Sequence, residues 1–181
     1  MWIKTFLILG LTFLVAAPGK SQSSNLGLQA GYYKAQDADE GSFTGGAAWR
    51  FKFNPMLGVE ASITYRQEKY LNELLTLRSW PVMVTGLIYP LPIIYAAMGI
   101  GWYNTTFDYD QERLPYLNDD TVQKIGWHFG GGIELPVESN FIVTGDLRYV
   151  FLDYNFKEFP GSDKLKSNFY VISIGLLYSL H

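Results

Sequence analysis

Apolar and polar residues alternate with a period of two along most of the chain, which is the pattern of β-strands with one apolar face. Over residues 43–53 the odd positions are mostly aromatic or small apolar residues, whereas the even positions include Arg50 and Lys52. The same alternation returns at residues 57–66, 124–135, 141–151 and 170–180. A weaker version covers residues 26–33, because Tyr occupies both faces there. These stretches predict six strands.

A long uncharged stretch at residues 79–107 resembles a membrane-spanning helix by hydropathy alone. Pro90 and Pro92 lie in its middle, where they would break a helix but suit a turn. We therefore interpret it as two more strands, at residues 76–89 and 93–104. Pro81 falls inside the first of them and predicts a β-bulge, because a proline cannot donate to the ladder of a closed sheet.

Eight strands of about ten residues each match the length that a tilted strand needs to cross a bilayer. Their connections alternate in length. The short ones are residues 54–55, 89–92 and 136–140, and the long ones are residues 35–42, 67–74, 105–123 and 153–168. Short turns on one side and long loops on the other are typical of outer-membrane barrels. The predicted fold is an all-β, eight-stranded antiparallel up-and-down transmembrane β-barrel.

The composition of the polar face decides which face meets lipid. A soluble lipocalin-like barrel has the same period with the faces reversed. Here the polar face is mostly Gly, Ala, Ser and Thr with a few charges of both signs, which suits a narrow packed interior. We expect a lumenal polar network there, composed of Arg50, Glu60, Arg66, His128, Glu134, Asp146 and Arg148. Aromatic residues near strand ends predict interfacial girdles, namely Trp49, Phe51, Phe53, Tyr65, Tyr149, Phe151 and Tyr178.

The amino-acid composition argues against several classes of function. The 14 basic and 17 acidic residues give a net charge of −3, which argues against a nucleic-acid partner. The absence of cysteine excludes disulfides, thiolate metal sites and a cysteine nucleophile. The 181 residues leave room for one domain.

The N-terminus reads as a secretory signal peptide, with Lys4 before an apolar run and a small polar tail after it. The run is too short for a spanning helix, and Pro18 and Gly19 follow it. We expect cleavage after Ser21 or Ser23, giving a leader at residues 1–23 and a barrel domain at residues 24–181.

The leader, the eight alternating strands and the final segment SIGLLYSL together resemble the small outer-membrane β-barrel family of the OmpA/OmpX type, over the whole mature chain. In that family the last strand is read by the barrel assembly machinery. Ser173, Gly175, Tyr178 and Leu180 match the spacing of this assembly signal, although the chain ends on His181 where many members end on Phe. The resemblance implies a monomer in the outer membrane of a Gram-negative-type bacterium, in contact with membrane lipids and lipopolysaccharide.

Candidate catalytic residues are few. His128 is the one histidine inside the body of the chain, but the His-x-Ser pair of barrel deacylases is missing because Gly130 stands two residues later. The run Gly130-Gly131-Gly132 is followed by no helix, so it is not a phosphate loop. Acidic residues alternate in the longest loop, at Asp108, Asp110 and Glu112, with Asp119 and Asp120 further on, but the calcium-loop spacing is absent.

We therefore expect a non-enzymatic protein without a cofactor, acting as a structural anchor or as a surface-interaction scaffold whose long loops contact a surface ligand. The alternatives are a lipid-modifying outer-membrane enzyme that uses His128, a soluble lipocalin-like carrier, and a narrow channel through the lumen.

Overall fold

The computed structural model describes residues 22–35, 40–70, 75–109, 120–152 and 168–180. Most of the predicted leader and the central parts of the four long connections lie outside these residues. Eight antiparallel strands pair in sequence order, and the last pairs with the first, so the predicted closed barrel is confirmed. The strands are β1 (Ser23–Ala35), β2 (Ser42–Asn54), β3 (Leu57–Tyr70), β4 (Leu75–Leu91), β5 (Ile94–Tyr109), β6 (Asp120–Pro136), β7 (Phe141–Phe151) and β8 (Phe169–Leu180).

The strand register fixes the tilt of the barrel. Paired residues can be followed once around it, in the order Asn25, Arg50, Glu60, Thr85, Gly99, His128, Val150, Phe169 and Ala35. The path leaves β1 at Asn25 and returns to β1 ten residues further along, at Ala35. A stagger of this size around eight strands corresponds to a tilt of roughly 40° and an interior that side chains can fill.

The two faces of the sheet are oriented as the sequence predicts. Large apolar side chains point outward, and among them Leu28 is 72% exposed and Phe43 is 80% exposed. The charged side chains in the middle of the barrel point inward, and among them Arg50 and Glu60 are each 1% exposed. This reverses the arrangement of a soluble barrel, in which the apolar face is enclosed. Among the described residues, no helix is long and apolar enough to cross a membrane.

The irregularity that the prolines cause in β4 does not lie where the sequence predicts it. The register of β3 with β4 is the same on both sides of Pro81, with Ile63 opposite Val82 and Arg66 opposite Ser79, so the predicted bulge at Pro81 is wrong. Pairing is simply interrupted at that point, since Pro81 has no N–H to donate. The irregularity lies instead between Ile88 and Leu91, around Pro90, and the turn follows at residues 92–93.

Two of the short connections are held by polar contacts close to the turn. Asn54 Oδ1 accepts hydrogen bonds from the backbone N–H groups of Met56 at 2.8 Å and Leu57 at 2.9 Å, which closes the turn between β2 and β3. The backbone N–H of Ser179 donates to the carbonyl of Asn140 at 2.8 Å and so fastens the end of β8 to the turn before β7. The start of β1, where Ser24 pairs with Leu180, and the end of β8 therefore lie at the end of the barrel with the short turns.

Inward glycines make room for large side chains from the neighbouring strand. A Cβ at Gly132 would lie 2.6 Å from the hydroxyl oxygen of Tyr95, its partner across the β5–β6 pair. A Cβ at Gly101 or Gly126 would lie 2.9 Å from the Tyr103 ring. The glycines of β6 thus lie beneath tyrosines of β5, because an eight-stranded interior has little spare width.

In a closed barrel every strand edge is hydrogen-bonded to a neighbouring strand, so the barrel resists unfolding by SDS until it is heated. We expect refolded residues 24–181 to migrate differently on an SDS gel before and after boiling. Equal migration of both samples, together with solubility in buffer without detergent, would contradict the membrane barrel.

Candidate functional site

An ion-pair network fills the middle of the barrel and is centred on Glu60. The Glu60 carboxylate accepts from Arg50 on one oxygen, with Nη2 at 2.5 Å and Nε at 3.1 Å. Its other oxygen accepts from Arg148 Nη2 at 2.9 Å. One carboxylate on β3 therefore joins a guanidinium on β2 to a guanidinium on β7 across the lumen.

A second carboxylate, Glu134, extends this network toward the short-turn end. Arg50 Nη1 donates to Glu134 Oε2 at 3.0 Å, and the Tyr89 hydroxyl donates to the same oxygen at 2.7 Å. Lys52 Nζ lies 2.5 Å from the other oxygen and also sits over the Tyr89 ring. Lys52 and Tyr89 were not among the predicted members. Lys52 shares the polar face of β2 with Arg50, and that shared face was the signal for it.

The third carboxylate, Asp146, is on the same strand face as Arg148, whose Nη2 lies 2.7 Å from it. The network thus links three cations with three carboxylates, namely Arg50, Lys52, Arg148, Glu60, Glu134 and Asp146. Removing one member of such a set leaves an opposite charge buried without compensation. The network fills the middle of the lumen with mutually neutralised side chains.

Arg66 lies among aromatic rings nearer the long-loop end. Its guanidinium carbon is 4.2 Å from the Phe169 ring centroid, 5.2 Å from that of Tyr103 and 5.6 Å from that of Tyr33. Guanidinium groups are attracted to ring faces because the π-electron cloud is negative. The sequence placed Arg66 on the inner face but gave no indication of these rings, which belong to β1, β5 and β8.

His128 is completely buried inside the barrel wall. Its Nε2 lies 2.9 Å from Thr85 Oγ1, and Arg148 Nη1 donates to the same hydroxyl at 3.4 Å. Gly99 lies between Thr85 and His128 in the sheet, and a Cβ there would be 2.9 Å from the imidazole. The missing side chain at Gly99 is what lets Thr85 and His128 meet.

At the long-loop end of the barrel, three neighbouring strands carry polar residues on their outward face. On β4, β5 and β6 the outward residues change from apolar to polar, at Trp80 to Arg78, Trp102 to Asn104 and Ile125 to Gln123. The Gln123 amide donates to Asn104 at 2.8 Å, and the hydroxyls of Thr106 and Thr121 lie 3.1 Å apart. Within the described residues, β6 pairs with β7 only from Trp127 onward. We call these outward-polar ends of β4, β5 and β6 the strand extension.

Two of the five acidic residues named in the sequence analysis belong to described strands at this end. Asp108 belongs to β5 and Asp120 to β6, whereas Asp110, Glu112 and Asp119 are outside the described residues. In the part of the chain that the structure describes, no group of three or more His, Asp or Glu side chains is arranged to hold a metal ion.

Aromatic residues form two bands on the outer surface. Near the short turns, the rings of Phe51 and Phe53 are 5.2 Å apart and those of Phe141 and Tyr178 are 5.3 Å apart. The band nearer the long loops contains contacts between the rings of Tyr65 and Trp80, Tyr32 and Phe43, Trp127 and Phe151, and Tyr149 and Tyr170. Such bands mark the two membrane interfaces.

The four residues of the predicted assembly signal occupy both faces of β8. Tyr178 and Leu180 are exposed on the apolar face, while Ser173 and the buried Gly175 face the lumen. A Cβ at Gly175 would lie 2.5 Å from Thr144 Oγ1 on β7. Their reading by the assembly machinery stays a prediction.

A closed eight-stranded barrel with an apolar belt, two aromatic bands and a charged interior is an integral β-barrel of the bacterial outer membrane. The family model described as "Outer membrane protein beta-barrel domain" matches residues 6–179. The chain therefore belongs to this outer-membrane β-barrel family, as the sequence resemblance predicted, and its location is the outer membrane of a Gram-negative-type bacterium.

Solved structures with the same fold are distant in sequence. A major outer membrane protein from Thermus thermophilus has a TM-score of 0.66 at 13% identity, covering 88% of this chain and 100% of that chain. OprG from Pseudomonas aeruginosa has a TM-score of 0.60 at 12% identity, covering 90% and 97%. Ail from Yersinia pestis, solved with the heparin analogue sucrose octasulfate, has a TM-score of 0.52 at 17% identity, covering 88% and 97%. No curated protein matches the sequence significantly.

Glu60→Gln removes the negative charge that Arg50 and Arg148 share. We expect it to lower the free energy of unfolding by about 3–5 kcal/mol, the usual effect of breaking a buried ion pair. Urea unfolding in lipid vesicles measures this change. Glu138→Gln, the same substitution in an exposed turn, should change stability by less than about 0.5 kcal/mol. Equal changes in the free energy of unfolding for the two substitutions would show that the ion-pair network does not stabilise the barrel.

Proposed function

We propose that this protein is a non-enzymatic, monomeric outer-membrane anchor that acts as a surface-interaction scaffold through its long-loop end. Residues 1–23 direct its export, and the barrel assembly machinery reads Ser173, Gly175, Tyr178 and Leu180 at the end of β8. The apolar belt contacts membrane lipids, and acidic side chains at the long-loop end contact lipopolysaccharide through divalent cations that bridge to its phosphates.

The observation that carries this proposal is the strand extension. A strand that only spans the membrane has no reason to continue with polar residues on its lipid-facing side. Arg78 is exposed on β4, and Thr121 and Gln123 are exposed on β6, beyond the aromatic band formed by Trp80 and its neighbours. The extension therefore favours a rigid sheet that holds the loops above the membrane, where a partner can reach them.

The position of His128 argues against the lipid-modifying alternative. A general base must come within about 3 Å of the proton that it removes. His128 has no exposed surface and faces the lumen, whereas the acyl chains of lipids contact the opposite side of the wall. The ion-pair network across the middle of the lumen in turn favours an anchor over a channel.

The charge of the long-loop end suggests the chemistry of its partner. Residues 36–41 contain three acidic residues and no basic one, and residues 105–123 contain five acidic residues and one arginine. Ail, which shares the fold, was solved with a polyanion, sucrose octasulfate. An acidic surface repels polyanions and attracts cations. The surface partner of this chain is accordingly a basic protein segment or a cation-bridged headgroup.

The display of the strand extension can be tested by cysteine labelling, because the chain has no cysteine of its own. On intact cells, we expect a membrane-impermeant maleimide to label Thr121→Cys and to leave Phe129→Cys unlabelled. Phe129 lies on the same face of β6 but on the membrane side of Trp127, inside the apolar belt. Glu138→Cys, in a short turn, should react only after the cells are lysed. Labelling of Glu138→Cys on intact cells would mean that the short turns face the outside of the cell, and it would overturn the proposal.

The partner chemistry can be tested with the refolded barrel in nanodiscs of neutral lipid. We expect fluorescent oligolysine to bind, and the binding to weaken as salt is raised, because salt screens exposed charges. Neutralising Asp110, Glu112 and Asp119 as Asn, Gln and Asn should weaken it several-fold. Empty nanodiscs are the control, and tighter binding of sucrose octasulfate than of oligolysine would contradict an acidic docking surface.

A further inference from the structure

The outward face of the strand extension carries two rows of side chains that run across β4, β5 and β6. The register pairs Trp80 with Asn104 and Asn104 with Gln123, so these three residues form the row nearest the membrane. The second row lies two residues further along each strand and consists of Arg78, Thr106 and Thr121. Cross-strand neighbours on one face of a sheet are about 5 Å apart, so the six side chains form one continuous lateral surface.

Two amides lie side by side in the row nearest the membrane. The Gln123 amide nitrogen donates to Asn104 Oδ1 at 2.8 Å, and Asn104 Nδ2 donates to the Trp80 carbonyl at 3.5 Å. An amide group has two N–H donors and a carbonyl oxygen with two lone pairs, so these contacts leave hydrogen-bonding positions on both side chains. Groups that donate and accept at the same place suit sugar hydroxyls, which also do both.

The residues beside the amides fit the same kind of ligand. Trp80 is 55% exposed, and its flat ring offers an apolar face for the C–H groups of a sugar ring. Arg78 carries a guanidinium group, which binds phosphate through paired hydrogen bonds. Neither row contains Asp or Glu, and the next outward residue of β5, Asp108, lies further from the membrane.

The height of this surface identifies what surrounds it. The two rows continue directly from the outer aromatic band, in which the rings of Trp80 and Tyr65 are 4.7 Å apart. Such a band marks the level of the lipid headgroups. In the outer leaflet of a Gram-negative-type outer membrane, the headgroups are the phosphorylated sugars of lipopolysaccharide. Side chains that project sideways at this level therefore face sugars and not acyl chains.

We propose that the outward face of the strand extension binds the core sugars of a lipopolysaccharide molecule seated beside β4, β5 and β6. Sugar hydroxyls exchange hydrogen bonds with Asn104 and Gln123, one sugar ring packs on Trp80, and Arg78 contacts a phosphate group. This inference rests on the proposed orientation, with the long loops outside the cell. It adds a lateral lipid partner to the surface partner that the acidic loops contact from above.

The site can be tested by native mass spectrometry of the refolded barrel in detergent. The barrel is titrated with rough-type lipopolysaccharide, which carries core sugars, with lipid A, which lacks them, and with phosphatidylglycerol, which is anionic but has no sugar. We expect lipopolysaccharide to bind about tenfold more tightly than lipid A, since two amides contribute hydrogen bonds to the core sugars. Phosphatidylglycerol should bind more weakly than lipopolysaccharide.

Variants connect this preference to the surface. Replacing Asn104 and Gln123 together by Ala should lower the affinity for lipopolysaccharide to that for lipid A, and Asn140→Ala, at the short-turn end, should keep the preference. Trp80→Leu should weaken lipopolysaccharide binding several-fold and leave lipid A binding unchanged. Its matched control is Trp49→Leu, because Trp49 is similarly exposed on the apolar belt but lies nearer the short turns. A heat-dependent shift on an SDS gel checks that each variant is folded.

Three results would overturn the sugar site. The first is wild-type binding of lipid A or phosphatidylglycerol as tight as that of lipopolysaccharide. The second is an unchanged preference in the double variant, and the third is an equal effect of Trp80→Leu and Trp49→Leu. Both ends of the barrel are accessible in detergent, so these results do not depend on its orientation in cells. That orientation is tested separately by the maleimide labelling.

Discussion

The buried ion pairs around Glu60 are the interaction on which the rest of the barrel depends. A charge placed inside a protein that is itself surrounded by lipid has no water to stabilise it, so it must be matched by opposite charge. Glu60 does this for two guanidinium groups at once, and Glu134 does it for Arg50 and Lys52. The contacts of Glu60 with Arg148 and of Glu134 with Arg50 and Lys52 join strands on different sides of the lumen, which ties the cylinder together from within.

Because the interior is narrow, its packing depends on glycine residues as much as on charged residues. Thr85 and His128 meet only because Gly99 between them has no side chain, and Tyr95 fits only because Gly132 lies beneath its hydroxyl. The outer wall follows a different rule, since lipid accepts any apolar shape. Its aromatic residues gather in two bands, and beyond one of them the outward residues of β4 to β6 become polar. That asymmetry is the observation behind the proposed role at the cell surface.

Sequence reasoning predicted some members of the interior and missed others, for physical reasons. Arg50 and Glu60 were predicted because they lie on the polar face of strands with strict alternation. Tyr89 was missed because the prolines of β4 obscured which face it occupies. Pro81 was expected to cause a bulge, but the sheet tolerates it by leaving two consecutive positions of the β3–β4 ladder unpaired.

The sequence by itself determined the number of strands, the face that side chains occupy in the strands with strict alternation, and the separation of short turns from long loops. These follow from local properties, because a period of two assigns each residue of a strand to one side of the sheet. Only the tertiary structure decided which inward residues meet. Glu60 and Arg148 are 88 residues apart in the chain, and they come together because the strand register staggers the barrel by ten residues around its circumference. The aromatic partners of Arg66 and the surroundings of His128 arise in the same way. Closure and tilt of the barrel decide which residues of opposite strands lie at the same level.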